Sequence, residues 1–186
     1  MPRLFVSLEI PSSVRTELAA LRTAVPGARW LPEEQYHLTL AFLGEVDGPT
    51  ALAVQEGLHG VRHDPFELTL SGVGHFPPKG RPRVLWAGVE DAADAAEVSS
   101  LAKAVQRCLK RRGLRFEARK FAPHVTLARL RDTPFAPVLG FVEAFATWRS
   151  EPFPVTDFAL FSSVLGRSGA QHSEEASYPL MPLGPA

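Results

Sequence analysis

The sequence predicts a mixed α/β or α+β fold of two pseudo-symmetric lobes, on three observations. Strand-like and helix-like patterns alternate loosely along 186 residues, with hairpin-like pairs among them. A seven-residue stretch, HLTLAFL at 37–43, returns 87 residues later as HVTLARL at 124–130, identical at five of seven positions. No low-complexity segment and no long linker interrupts the chain, and its length suits one domain that spans 1–186 and buries a substantial core.

Taken in order, RLFVSLE (3–9) reads as a strand. A helix over 12–25 follows, capped by Ser12 or Ser13, with Val14, Leu18, Leu21 and Val25 on one apolar face and Pro26-Gly27 as its stop. HLTLAFL is the next strand, and Gly48-Pro49-Thr50 opens a second helix that ends before Gly60. FELTLSGVGHF (66–76) alternates as a strand, PPKGRPR (77–83) is a turn-rich loop, and VLWAGVE (84–90) is a strand. The strongest helix pattern covers 95–112, with Asp94 and Glu97 as a capping box, an apolar stripe through Val98, Leu101, Val105 and Leu109, and Gly113 as its end. HVTLARL, a helix or turn near 138–146, a strand over 155–165 and a last strand around 175–181 complete the chain.

The repeat includes its surroundings. Strand, helix, strand at 3–9, 12–25 and 37–43 recurs at 84–90, 95–112 and 124–130. Two lobes related by a pseudo-twofold axis would bring the two motif strands side by side. Strand alternation puts His37 and Thr39 on one face, with Leu38, Leu40 and Phe42 on the other, core-facing side. His124 and Thr126 repeat the arrangement, and by the same parity Arg129 points away from His124.

Composition excludes several classes. Hydrophobic residues make up 45% and charged residues 22%, as in soluble globular proteins. The apolar part of MPRLFVSLEIP is short and carries Arg3 and Glu9, so it reads as neither a secretory signal nor a membrane span. The lone Cys108 lies in a helical stripe as a small core residue and permits neither an internal disulfide nor a multi-cysteine zinc site. A reducing cytoplasm is the simplest setting. Net charge is zero, yet residues 103–131 hold ten Lys or Arg against one acid, Glu117. Two readings of that segment stand: a solvated helix end whose cations suit the C-terminal dipole, or a surface for anions or nucleic acid.

Two His–Thr pairs meet the needs of phosphoryl chemistry. Imidazole and imidazolium coexist near neutral pH, so one ring can activate water while the other protonates a leaving oxygen. Two hydroxyls can hold non-bridging phosphate oxygens, where positioning and charge stabilisation matter most. No metal is implied, because no carboxylate stands at ligand spacing beside either histidine and threonine is a poor ligand for such metals. The other histidines lack such partners: His59 and His63 flank Gly60 as surface residues, His172 lies in a polar loop, and His75 beside Phe76 is a candidate to line a site. Local equivalence leaves open which motif histidine is acid and which is base. A non-catalytic nucleotide- or RNA-binding module, and a phosphodiesterase for another small cyclic phosphate, remain alternatives.

HLTL (37–40) and HVTL (124–127) resemble the paired His-x-Thr-x signature of the two-histidine phosphoesterase superfamily. RLFVSLEIPSSVR, GARWLPEEQYHLTLAFLGEV, PRVLWAGV and FAPHVTLARL are similar to bacterial and archaeal RNA 2′,3′-cyclic phosphodiesterases, also called 2′–5′ RNA ligases. The resemblance implies an α+β fold with antiparallel sheets around a central cleft and helices outside. It implies hydrolysis of RNA 2′,3′-cyclic phosphate ends to 2′-phosphates without cofactor or metal. His37 then matches the proton donor, His124 the proton acceptor, and Thr39 and Thr126 the phosphate-holding positions, with Arg129 as a further candidate. Such enzymes also join tRNA halves 2′–5′, a 5′-hydroxyl replacing water. Gln35 stands where the family often carries Asn or Asp. Basic residues would meet the RNA backbone, Phe76 or Trp30 are candidates to stack on a base, and a monomer is expected.

Overall fold

The structure, a computed structural model, describes residues 3–114, 121–166 and 169–182. The elements run β1 (Arg3–Glu9), α1 (Ser12–Ala19), β2 (Ala28–Trp30), a short 3₁₀ turn (Glu33–Gln35), β3 (His37–Glu45), α2 (Gly48–Leu58), β4 (Phe66–Leu68), β5 (Leu70–Phe76), β6 (Val84–Val89), α3 (Ala92–Arg111), β7 (Val125–Leu130), α4 (Phe135–Ala144), β8 (Phe153–Val155), β9 (Asp157–Gly166) and β10 (Gly169–Pro179). One sheet has the order β10-β9-β1-β3-β7-β6-β5, with β2 added beside β7, and β4 pairs with β8 in a second, small sheet. Every pairing is antiparallel. The fold is the α+β architecture expected.

The repeat is larger than its sequence trace. Strand, helix, strand, helix and two short-spaced strands occur as β1-α1-β3-α2-β4-β5 and again as β6-α3-β7-α4-β8-β9. The last strand of each half crosses to the other, so that β5 pairs with β6 and β9 with β1. Equivalent strands of the two halves also pair with each other at two places. β3 and β7 pair at Leu38↔Val125, and β4 and β8 are centred on Glu67↔Pro154, both pairs joining residues 87 apart. Thr69 and Thr156, also 87 apart, mark where each chain leaves the small sheet, and their carbonyls accept from Glu90 N at 2.9 Å and Leu180 N at 2.8 Å.

Helix ends follow local chemistry, with two corrections. α3 begins three residues earlier than the periodicity predicts, because Asp91 Oδ1 accepts from Ala93 N and Asp94 N at 2.8 and 2.9 Å. Asp94 instead accepts from Thr69 N at 2.9 Å, tying α3 to the β4–β5 junction. α3 ends as expected: Gly113 at φ +77° donates to Lys110 O, and Leu114 to Leu109 O. α1 starts at Ser12 behind Pro11 with no side-chain cap and stops at Ala19. Beyond it the chain tightens into i→i−3 bonds, Leu21 N to Leu18 O and Arg22 N to Ala19 O, while Leu21 and Val25 stay buried.

The core lies against the sheet face that carries Leu38, Leu40, Val125 and Leu127, each at most 1% exposed. Burial of each such side chain contributes about 1.5–3 kcal/mol. Strict alternation fails just beyond. Register shifts leave Leu40 without a partner between Thr39↔Ser7 and Ala41↔Val6, and Leu127 between Thr126↔Trp86 and Ala128↔Leu85. These are β-bulges at equivalent leucines, 87 residues apart. After each, parity inverts: Ala41 and Ala128 are buried, while Phe42 is 58% exposed and leaves the core face predicted for it.

Gly74 pairs with Trp86, and a Cβ there would stand 2.3 Å from the indole ring. Gly74→Ala therefore displaces Trp86. Urea unfolding is expected to show a loss of about 1–3 kcal/mol at unchanged m value, with altered tryptophan emission.

Candidate active site

His37 opens β3 and His124 immediately precedes β7. Both rings are fixed in the same way: Nδ1 lies 2.7 Å from a main-chain carbonyl two residues upstream, Gln35 O for His37 and Ala122 O for His124. A carbonyl only accepts, so Nδ1 carries the proton in each ring and Nε2 is left for chemistry. Each ring also has a phenylalanine neighbour. Phe5 lies 4.8 Å from His37 between centroids and Phe76 5.0 Å from His124. Behind these, Phe161 stacks on Phe5 at 5.5 Å and Trp86 backs Phe76 at 5.3 Å.

The Leu38↔Val125 pair gathers the two motifs. Both side chains point into the core, so the residues on either side of them face the opposite, open side of the sheet. In that antiparallel register the next positions set His37 across from Thr126 and Thr39 across from His124. Glu9, Ser7 and Phe5 lie on the same face, opposite His37, Thr39 and Phe42. Ser7 Oγ and Trp86 Nε1, each cross-strand from a motif threonine, are buried without a hydrogen-bond partner.

Arg129 corrects the parity expectation. Val84 pairs with both Arg129 and Phe76, and Phe76 touches His124, so the bulge at Leu127 returns Arg129 to the open face. It is exposed there, beside Arg29 on β2. Of the remaining basic segment, Lys103, Arg107, Lys110 and Arg111 lie on α3, exposed to solvent, and Arg112 follows it with an ion pair to Glu56 at 3.1 Å. Only Lys110 and Arg111 stand in the last turn of α3, where the helix-end reading places cations. Arg115, Glu117, Arg119 and Lys120 lie outside the described residues.

His172 went unrecognised in the sequence. It lies on β10 rather than in a loop, and its ring meets His37 at 5.2 Å and Phe5 at 5.0 Å. Around these rings a recess is lined by Glu9, Arg15, Glu34, Tyr36 and Phe161. Burial, then the charge of His172, push the His37 imidazolium down to about 4, and the charge of His124 adds to this. Burial also lowers His172. Glu9 is raised, by burial first and then by Glu174 and Asp157. His75 is excluded from the site, since it pairs with buried Leu85 and packs on Phe135 of α4. His63 is not a surface residue: it is 6% exposed, with Nε2 3.7 Å from Glu97. Trp30 packs on Phe141. Among the described residues no three His, Cys, Asp or Glu side chains form a metal-binding group, and no helix is long and apolar enough to cross a membrane.

One family model, described as LigT-like phosphoesterase, matches twice, over residues 8–86 and 89–171, one match for each half of the repeat. The chain belongs to the LigT-like phosphoesterase family. An RNA 2′,3′-cyclic phosphodiesterase of Archaeoglobus fulgidus is 33% identical over 171 residues, covering 90% of this chain and 94% of that one. One from Escherichia coli is 31% identical, covering 92% of each. The crystal structure of E. coli LigT in apo form superposes with a TM-score of 0.76 at 27% identity, over 97% of this chain and 98% of that one. E. coli LigT thus shares this fold over nearly its full length.

The lowered His37 value makes stability depend on pH. An unfolded histidine titrates near ~6.5, so between there and about 4 the unfolded chain binds a proton that folded His37 refuses. The contribution is complete above pH ~6.5 and is lost as pH falls towards 4. Urea midpoints at pH 7 and pH 5 are expected to differ less in His37→Gln than in the wild-type protein.

Proposed function

We propose that the chain, as one bilobal phosphodiesterase domain over residues 1–186, hydrolyses RNA 2′,3′-cyclic phosphate ends to 2′-phosphomonoesters. The observation that carries this reading is the pair of histidines on equivalent strands of one face, each with Nδ1 tied to a carbonyl and Nε2 left open. The names borne by the Archaeoglobus and Escherichia relatives support the substrate class. The phosphate is proposed to lie between the two His–Thr pairs, with Thr39 and Thr126 holding its non-bridging oxygens. His124 Nε2 takes a proton from water as the oxygen attacks phosphorus. His37 Nε2 gives a proton to the departing 3′ oxygen, so the phosphate stays on the 2′ oxygen.

His37 rests neutral at pH 7 when the site is empty, so the donor role requires a proton gained with substrate. A cyclic phosphate carries one negative charge, and that charge beside the imidazole favours imidazolium. Acid and base titrate as a coupled pair. Arg129, exposed on the same face, is proposed to contact the RNA backbone. With a 5′-hydroxyl in place of water, the same step would join RNA ends, tRNA halves included, through a 2′–5′ bond. A monomer acting in the cytoplasm completes the proposal.

Product analysis on a short RNA ending in a 2′,3′-cyclic phosphate, separating 2′- from 3′-phosphate, tests the reading. A 3′-phosphate product, or binding without turnover, would overturn it. His37→Ala and His124→Ala are each expected to lose about 10²–10⁴-fold in kcat while remaining folded. On a p-nitrophenyl phosphodiester, whose leaving group needs no proton, His37→Ala should lose far less than His124→Ala, and the opposite pattern would exchange the two roles. Arg129→Ala is expected to raise KM on RNA, leave kcat on a cyclic mononucleotide unchanged, and reduce the salt slope of RNA binding by about one.

A further inference from the structure

Among the described residues β10 has no counterpart in the other half of the fold, where β5 is the last strand of the sheet. The hairpin it forms with β9 reaches back over the open face. Gln35 Nε2 donates to Ala170 O at 2.7 Å, and two residues on His172 meets His37 and Phe5. Gln35 therefore holds the hairpin through its side chain and the Nδ1 of His37 through its carbonyl.

The Nδ1 hydrogen bond restrains the χ2 angle of the imidazole only within the range of ring tilts that one hydrogen bond tolerates, because that torsion is intrinsically broad. Phe5 lies nearly along the His37 ring, with planes 30° apart. His172 meets the same ring at 75°. Contacts at these two angles, with the carbonyl bond, leave one ring plane. His124 has the matching carbonyl but meets its phenylalanine, Phe76, edge-on at 82°, and among the described residues its half of the sheet has no strand equivalent to β10.

We propose that His172 is a positioning residue for His37, carried into place by the β9–β10 hairpin and clasped there by the side chain of Gln35. His172 fixes the plane that aims Nε2 of His37 at the phosphate, and the role rests on the phosphodiesterase reading above. Glu9 of β1, Arg15 of α1, Glu34 and Tyr36 ahead of β3, His124 before β7 and Glu174 of β10 are the other titratable or charged groups around the two rings. Charge on His172 opposes charge on His37, so the same contact that orients the ring also restrains its protonation.

The test combines kinetics on a cyclic-phosphate RNA with NMR titration of the histidine Cε1–H signals in wild-type protein, His172→Ala, His172→Phe and Gln35→Ala. His172→Ala and Gln35→Ala are expected to lower kcat roughly tenfold with little change in KM. Both should move the His37 titration to higher pH and leave that of His124 in place. His172→Phe, which keeps the edge contact, should recover most of kcat. An unchanged kcat with an unchanged His37 titration overturns the proposal. So does a rise in KM alone, which would make His172 a substrate contact. Absence of wild-type turnover would sink the phosphodiesterase reading, while the NMR titration would still decide the positioning role. If His172→Ala does not fold, Gln35→Ala carries the same test from the other end of the clasp.

Discussion

One antiparallel residue pair, Leu38 with Val125, organises the site. It joins equivalent residues of the two halves, so the pseudo-twofold axis passes between them. Both side chains are fully buried, which fixes the pair in register, because a one-residue slip would turn two leucine-rich strands outward. With that pair set, His37, Thr39, His124 and Thr126 have no choice of face. The β4–β8 pairing on the same axis, and the exchange of β5 and β9 between halves, hold the two strands together from outside the site. Neither half contains a complete sheet of its own, so the lobes cannot separate without breaking pairings on both sides of the axis.

The bulges at Leu40 and Leu127 show how a strand serves two demands. Ahead of the bulge, alternation presents a histidine and a threonine. A regular strand would then bury the side chain at positions 42 and 129. The extra residue puts two successive positions, Leu40-Ala41 and Leu127-Ala128, into the core and brings the next one back to the open face. The two halves use that position differently, as an exposed Phe42 in one and Arg129 in the other. The aromatic backing is also conserved in plan and different in residues: Phe161 behind Phe5, Trp86 behind Phe76. Trp86 fits only because Gly74 and Gly88 lie beside it without a Cβ.

Legibility in the sequence followed the range of the interactions. The order of the longer strands and helices, the motif histidines and threonines, and the Gly113 stop are set by local periodicity or identity and were readable, whereas the three-residue strands β2, β4 and β8 were not readable as separate elements. The pairing of the motif strands followed from the repeat by symmetry alone. Bulges were not readable, since nothing in HVTLARL distinguishes a bulged strand from a regular one, and the inferred direction of Arg129 failed for that reason. The caps failed by three residues at α3, where Asp91 and Asp94 compete and only the position of Thr69 decides which one caps. His172 was invisible for a different reason. The stretch GAQHSEEASYP has no apolar alternation, because β10 lies at the edge of the sheet with much of its surface in water, and its reach to His37 depends on a clasp 135 residues distant from Gln35.

Symmetry would leave two like histidines, and β10 makes them unlike. Two histidines with the same carbonyl, the same tautomer and similar aromatic neighbours would share the same proton affinity, and a pair of equal groups has no fixed acid and base. General acid–base catalysis needs one ring protonated and the other not at the same pH. A duplicated half cannot supply that difference from within the repeat. The strand that lies outside the repeat can: β10 brings a third imidazole to one side only, buries His37 further, and sets its proton affinity apart from the value the repeat alone would give. The sign of that difference opposes the donor role of His37 in the empty site, so the proton His37 gives up must be gained with the anionic substrate, whose charge beside the ring favours imidazolium. On this view the asymmetric hairpin is as much a part of the site as the repeated motifs, because the motifs provide two proton carriers and the hairpin makes them different.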